Sequence, residues 1–157
     1  MSTSASHLDL TSHWRIAAPV ASVWAALTDV RSWPQWWPYV RAVEQVDSGN
    51  AEGLGAVHRI RWATRLPYTI QIEVRSVEIH KHQRLCGRSR GQLEGQGTWL
   101  LRSAGDGITE VAYRWQVVVT KPWMRRLAPL LAPVFRWNHD GVMRAGERGL
   151  NRYLAQP

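Results

Sequence analysis

Pro133-Val-Phe-Arg-Trp-Asn-His-Asp-Gly-Val-Met-Arg-Ala-Gly-Glu-Arg-Gly-Leu-Asn-Arg-Tyr-Leu154 is the stretch from which the fold can be read. Pro133 suits a first helical turn, where its missing N–H costs no hydrogen bond. Phe135, His139, Val142, Met143, Gly146, Leu150, Tyr153 and Leu154 recur at three- and four-residue steps and so share one face of a helix. Arg136, Arg144, Glu147, Arg148 and Arg152 fall mostly off it. Such a helix is roughly 33 Å long, enough to cross a small domain. Gly141, Gly146 and Gly149 each cost about 1 kcal/mol against alanine inside a helix. Close approach of something flat, a sheet, would explain them.

Ahead of this helix the chain alternates. His7 to Ile16 puts Leu8, Leu10, Trp14 and Ile16 on one side and Asp9, Thr11, His13 and Arg15 on the other, a half-buried strand. A helix follows from Pro19, with Val20, Val23, Trp24 and Leu27 at helical spacing, and Thr28-Asp29 closes it. Trp33, Pro34, Trp36, Trp37 and Pro38 leave room for one short turn of helix in a tryptophan-rich corner that closes one end of the core. From residue 40 to 119 the period is two. The spacing predicts strands at Tyr39–Asp47, Gly55–Ala63, Pro67–His80, Gln83–Gly91, Leu93–Ser103 and Ile108–Thr120. Short turn-like separators between them imply an antiparallel meander. Lys121 to Ala132 is apolar and basic together and is broken by Pro122 and Pro129. It reads as a short helix at the sheet edge or as a mobile, membrane-touching lid.

Composition narrows the function. The 157 residues suit one domain, 1–157, with residues 1–6 disordered. One cysteine, Cys86, excludes an internal disulfide. The start of the chain lacks an apolar signal region, and no stretch is long enough to span a bilayer, so a cytoplasmic protein is expected. Twenty Lys and Arg against twelve Asp and Glu give a net charge of +8. The basic residues are scattered and form no nucleic-acid motif, so no nucleic-acid partner is expected. Ten tryptophans against one phenylalanine exceed what a core of this size needs. Some should line a cavity or its mouth.

The order strand, two helices, six strands, long C-terminal helix is the α+β helix-grip arrangement, a curved antiparallel seven-stranded sheet wrapped on the last helix. Four stretches carry a resemblance to a known family: Ala18-Pro19-x3-Val23-Trp24, Trp33-Pro34-x-Trp36-Trp37-Pro38, Gly91-x-Leu93-Glu94-Gly95-x-Gly97-x-Trp99, and Trp137-Asn138-His139 with Met143. The chain resembles the START-like (SRPBCC, Bet v 1-like) superfamily in its polyketide cyclase/dehydrase and lipid-transport branch. The resemblance implies a deep, largely apolar cavity between sheet and C-terminal helix, with no obligatory metal, nucleotide or other cofactor. It is weak for chemistry, because one scaffold serves cyclases, hydrolases, carriers and binders.

Candidate site residues follow from parity. His139 titrates near neutrality and can move a proton at a ligand carbonyl, with Asn138 orienting it or holding the oxygen; a histidine that only fixes helix register is the alternative. Trp62, Tyr68, Tyr113 and Trp115 share the apolar parity of their strands and can stack on a flat ligand. His58 and Ser89 share inward parity and can supply polar contacts. Trp99, Phe135 and Met143 complete the wall. Arg61, Arg88, Arg90, Arg114, Glu73, Glu94 and Glu110 have the solvated parity, which suggests cross-strand ion pairs. Were a bulge to shift that parity, Glu94 would face the cavity as a ligand contact and general base. Glu78, His80 and His82 share a polar turn, but no metal site is expected. The partners expected are a small hydrophobic or aromatic ligand and a transient anionic membrane contact, with the protein a monomer or homodimer. The activity is that of a polyketide cyclase/dehydrase-like enzyme or of a non-catalytic lipid or isoprenoid carrier or sensor.

Overall fold

The computed structural model describes residues 7–156; the expected disorder of residues 1–6 lies outside them. The chain runs β1 (His7–Ile16), α1 (Val20–Thr28), a single 3-10 turn (Val30–Ser32), α2 (Trp33–Trp36), β2 (Val40–Asp47), β3 (Val57–Ala63), β4 (Thr69–His80), β5 (Arg84–Gly91), β6 (Leu93–Ser103), β7 (Thr109–Val119) and α3 (Pro122–Ala155). The seven strands form one antiparallel sheet in the order β1-β7-β6-β5-β4-β3-β2. This is the helix-grip arrangement, and the strand limits agree with the period-two reading to within two residues.

The register explains where space is left. One inner row across the sheet reads Ser76, Gly87, Gly97, Trp115 and Leu10. The next reads His58, Val74, Ser89, Gly95, Val117 and Leu8. The middle of the floor is therefore paved with glycine and serine, with bulk only towards the sides. Gly97 has a steric reason: a Cβ there would collide with the Tyr113 ring.

Six tryptophans build the closed end. Trp14, Trp33, Trp36, Trp37, Trp62 and Trp99 touch one another, mostly edge to face, with centroid separations from 4.9 to 6.4 Å. Full burial of such a ring removes enough apolar area to stabilise the fold by about 4 kcal/mol. Trp37 donates its indole N–H to the Val142 carbonyl at 2.8 Å and Trp33 donates to Leu27 at 3.2 Å. These bonds lock the corner to α1 and α3.

The C-terminal half of α3 is pressed onto this corner and onto β1. Gly149 allows it to approach the Trp36 carbonyl, and Gly146 lies where a Cβ would be 2.6 Å from Trp37 and 2.8 Å from Trp14. The close approach expected of these glycines is thus to indoles and the α2 backbone more than to a flat sheet. Glu147 and Asn151, one turn apart, bond the free edge of β1: Arg15 N–H donates to Glu147 at 2.8 Å, Ala17 N–H to Asn151 at 2.8 Å, and Asn151 donates back to the Arg15 carbonyl at 3.1 Å. The helix so covers an edge strand that would otherwise offer unpaired backbone groups.

α3 differs from the sequence reading. It is one helix of 34 residues, about 51 Å long, and not a short segment broken before a second helix. Pro129 and Pro133 lie one turn apart on its exposed side. The carbonyls they leave without an N–H partner belong to Arg125 and Pro129, both exposed residues, where water is the available partner. Pro122 opens the helix, where no bond is lost.

Candidate functional site

Between the inner face of the sheet and α3 lies a cavity of about 170 Å³. Every residue singled out in the sequence lines it except Glu94. Glu94 is exposed on the outer face of β6, in a shallow depression with Arg88, Arg90 and Gln116. No register shift occurs between β6 and β7, so the solvated parity holds and Glu94 is neither a cavity contact nor a general base there. The cross-strand ion pairs also use other partners. Arg59 bridges Glu44 and Glu73 at 2.8 and 2.9 Å, Arg114 binds Asp9 at 2.7 Å, and Glu110 meets Arg102 and Arg15. Among the described residues Arg61, Arg88, Arg90 and Glu94 form none. Glu78 is engaged by His80 and Arg84, each at 3.0 Å.

His139 stands at the centre of the site. Its ring stacks on Trp115 from β7, with centroids 5.0 Å apart and planes within 7°. Both ring nitrogens are buried and neither has a hydrogen-bond partner among the described residues. Burial pulls the imidazole pKa down to about 4, against a weaker upward pull from Asp140. The ring is therefore neutral at pH 7, with one donor and one acceptor unspent. Leaving such groups without partners costs about 1–3 kcal/mol each.

Asn138 does something other than orient that ring. Its Oδ1 accepts the Arg65 N–H at 2.8 Å, tying the β3–β4 loop to α3. Arg65 then lays its guanidinium over Trp137, 3.7 Å from the ring centroid. The orienting role expected of Asn138 is corrected accordingly: it makes no bond to His139, its Oδ1 positions the loop, and the residue also borders the cavity.

The remaining polar groups of the wall are also uncharged at neutral pH. Burial, helped by the nearby positive charge of Arg31 and opposed by Asp29, lowers the pKa of His58. Burial raises Tyr68 and, much further, Tyr113. Tyr113 packs on Trp99 with centroids 4.2 Å apart. The Ser89 hydroxyl is buried without a partner among the described residues. Among the described residues no Asp, Glu, Lys or Arg lines the space. Tyr68 is, among the described residues, its one exposed wall residue, which places the opening at the β3–β4 loop beside α3.

Several wall residues were not singled out from the sequence. Trp33 and Trp37 were read only as closing the core, and they also close one end of the cavity. Met124 comes from the segment read as a lid and sits on the inner face of α3 with Phe135. Its spacing from Phe135, three helical turns, was hidden by the assumption of a break at Pro129.

Fold and cavity together define a helix-grip protein with a hydrophobic interior. The chain belongs to the polyketide cyclase / dehydrase and lipid transport family, whose model matches residues 7–155. Among solved structures it is similar to the Zhui aromatase/cyclase from Streptomyces sp. R1128, at 14% identity and a TM-score of 0.75, covering 94% of this chain and 93% of that one. It is similar to a protein from Thermus thermophilus at 16% identity and a TM-score of 0.77, covering 95% and 100%. It is also similar to a START superfamily protein from Mycobacterium smegmatis at 11% identity and a TM-score of 0.76, covering 92% and 95%. At these identities the likeness is one of fold. Comparison with curated protein sequences returned no match.

Proposed function

We propose that this protein binds a small, flat, uncharged and largely apolar molecule between its sheet and α3, with His139 as the principal polar contact. The observation that carries this reading is the neutral imidazole stacked on Trp115 with two buried nitrogens unspent. A ligand hydroxyl or carbonyl against that ring would supply the missing partner. The aromatic wall of Trp62, Trp99, Tyr113 and Trp115 favours a planar ligand, and the lack of charged side chains favours a neutral one.

The test is a titration followed by tryptophan quenching, using 2-naphthol, naphthalene and 2-naphthoate as probes. Saturable binding of 2-naphthol, weaker binding of naphthalene and exclusion of the carboxylate are expected. His139→Leu should weaken 2-naphthol by about tenfold and leave naphthalene nearly unchanged, as loss of one buried hydrogen bond requires. Equal effects on both probes would remove His139 from the site, and no saturable binding of either would remove the reading itself.

A cyclase- or dehydrase-type activity is the second reading, favoured by the same unpartnered nitrogen. There the ring would take a proton from the carbon beside a ligand carbonyl and return it to the oxygen. Its low pKa makes it a weak base, so positioning of the substrate would supply much of the rate. Turnover of a ligand extracted from the freshly purified protein, lost in His139→Gln while binding persists, would establish it. A ligand recovered unchanged after incubation favours the carrier.

A further inference from the structure

α3 carries a second apolar face turned to solvent, on which, among the described residues, the Arg65 guanidinium lies over Trp137. Trp123, Leu127, Leu130, Val134 and Trp137 are exposed, Leu130 to 77%. Their steps of four, three, four and three residues put them on one line along the helix. This line lies beside the inward face of Met124, Ala128 and Phe135, and Arg126 borders it on the other side. Beyond Gly141 the same line continues as Arg144, Arg148 and Arg152, all exposed and none in an ion pair with a described residue. From residue 121 to 139 the charged side chains are Lys121, Arg125, Arg126 and Arg136, and the first acidic residue is Asp140.

We propose that this face docks on an anionic lipid bilayer, with α3 lying in the plane of the interface. The arrangement matches what an interfacial helix needs: an apolar stripe, cations around and beyond it, and tryptophans at both ends of the stripe where their rings suit the headgroup level. The helix is not apolar enough to cross a membrane. A second copy of the chain is a poorer occupant, because a two-fold contact on the stripe would bring in the bordering Arg126 of both copies with no acidic residue between 121 and 139 to pair them. The stripe also adjoins the cavity opening, since Trp137 is held by Arg65 in the loop that ends at Tyr68. Docking would so bring the mouth to the bilayer and let an apolar ligand pass without crossing water. That last step rests on the ligand-binding reading above; the docking itself does not.

Co-sedimentation of the purified protein with phosphatidylcholine vesicles, with and without phosphatidylglycerol, tests the proposal. The protein should bind the anionic vesicles, with a blue shift of tryptophan emission, and release as salt shortens the screening length. Leu130→Glu should lower vesicle binding by about tenfold or more while leaving 2-naphthol binding intact, because Leu130 is outside the cavity. Arg144→Glu with Arg148→Glu should weaken binding to anionic vesicles by a similar factor. Absence of vesicle binding at low salt overturns the proposal. So does equal binding with and without phosphatidylglycerol, or a dimer in solution that Leu130→Glu converts to monomer. Vesicle binding without 2-naphthol binding would keep the docking surface and discard the ligand reading, and the converse would do the reverse.

Discussion

The two halves of α3 obey different packing rules. From Val142 onward the helix sits on the tryptophan corner with glycines at the contacts, its carbonyl at Val142 bonded to Trp37, and Glu147 and Asn151 clamping the edge of β1. From Pro122 to Gly141 it faces a smaller cluster, Leu8, Ile72, Leu93, Val117 and Val119, across a space. One half is held by shape. The other is held by its covalent continuity, the Arg65 loop tied to Asn138 and laid on Trp137, the His139–Trp115 stack and modest apolar contact. The contrast teaches that the same element can anchor a fold and leave room for a guest, provided that the rigid half fixes the axis of the loose one.

The comparison can be broken most forcefully at Gly149. Alanine there gains about 1 kcal/mol of helix propensity. It also drives a methyl group into the Trp36 carbonyl, backbone that stacked indoles hold in place. Overpacking should win by about 3 kcal/mol, lowering Tm by about 10 °C. Thermal unfolding followed by circular dichroism checks this, and a Gly149→Ala protein as stable as the parent would mean that the closed half is not closed. Trp37→Ala should lose a similar or larger amount through its cavity.

The closed half was the more legible in sequence. Its signals are local: glycines at helical positions, tryptophans between prolines, and alternation in the strands, all of which report burial directly. The open half was misread at the prolines because a breaker is judged by what it removes, and the sequence does not show that the lost bonds face water. Glu94 was carried as a cavity residue on the possibility of a bulge, which the β6–β7 register does not contain; register depends on pairing that no single strand contains. Asn138 was placed at the cavity but not in its role, since its partner, the Arg65 backbone N–H, lies 73 positions away. His139 stood out as a polar residue on an apolar face. Its neutrality came only with the structure, because it depends on how much of Trp115 and the sheet surrounds it.

A second, smaller effect probes the open half through protons. His139 has a pKa of about 4 in the folded protein, below the usual 6.5 of the unfolded chain. Above pH 6.5 both states leave it neutral and stability does not depend on it. As pH falls towards 4 the unfolded state takes up the proton first, so stability declines by up to about 1.4 kcal/mol per pH unit. Urea unfolding of the parent and of His139→Leu at pH 7.5 and pH 5 isolates this contribution. His58, also lowered by burial, adds to the slope in both proteins and cancels in the difference. Parallel pH profiles would show that His139 is open to water and its nitrogens are not waiting for a ligand.

The smallest effect is the sharpest control, because it repeats the first substitution on the other half of the same helix. The three atoms nearest a Cβ at Gly141 all belong to the Arg65 side chain. That side chain is flexible, so it can swing aside where the Trp36 carbonyl cannot. Gly141→Ala should gain about 1 kcal/mol from helix propensity. Displacing Arg65 from the Trp137 ring should cost about 0.5–1 kcal/mol, as an exposed cation–aromatic contact does. The net change should lie between zero and about 0.5 kcal/mol of added stability. Combining it with Arg65→Ala removes the second term in advance, so alanine at 141 should then show its full helical gain. A loss as large as that at Gly149 would mean that the loop and helix are packed as rigidly as the tryptophan corner. The mouth beside Tyr68 would then have no room to open, and the division of α3 into an anchoring and a yielding half would fail.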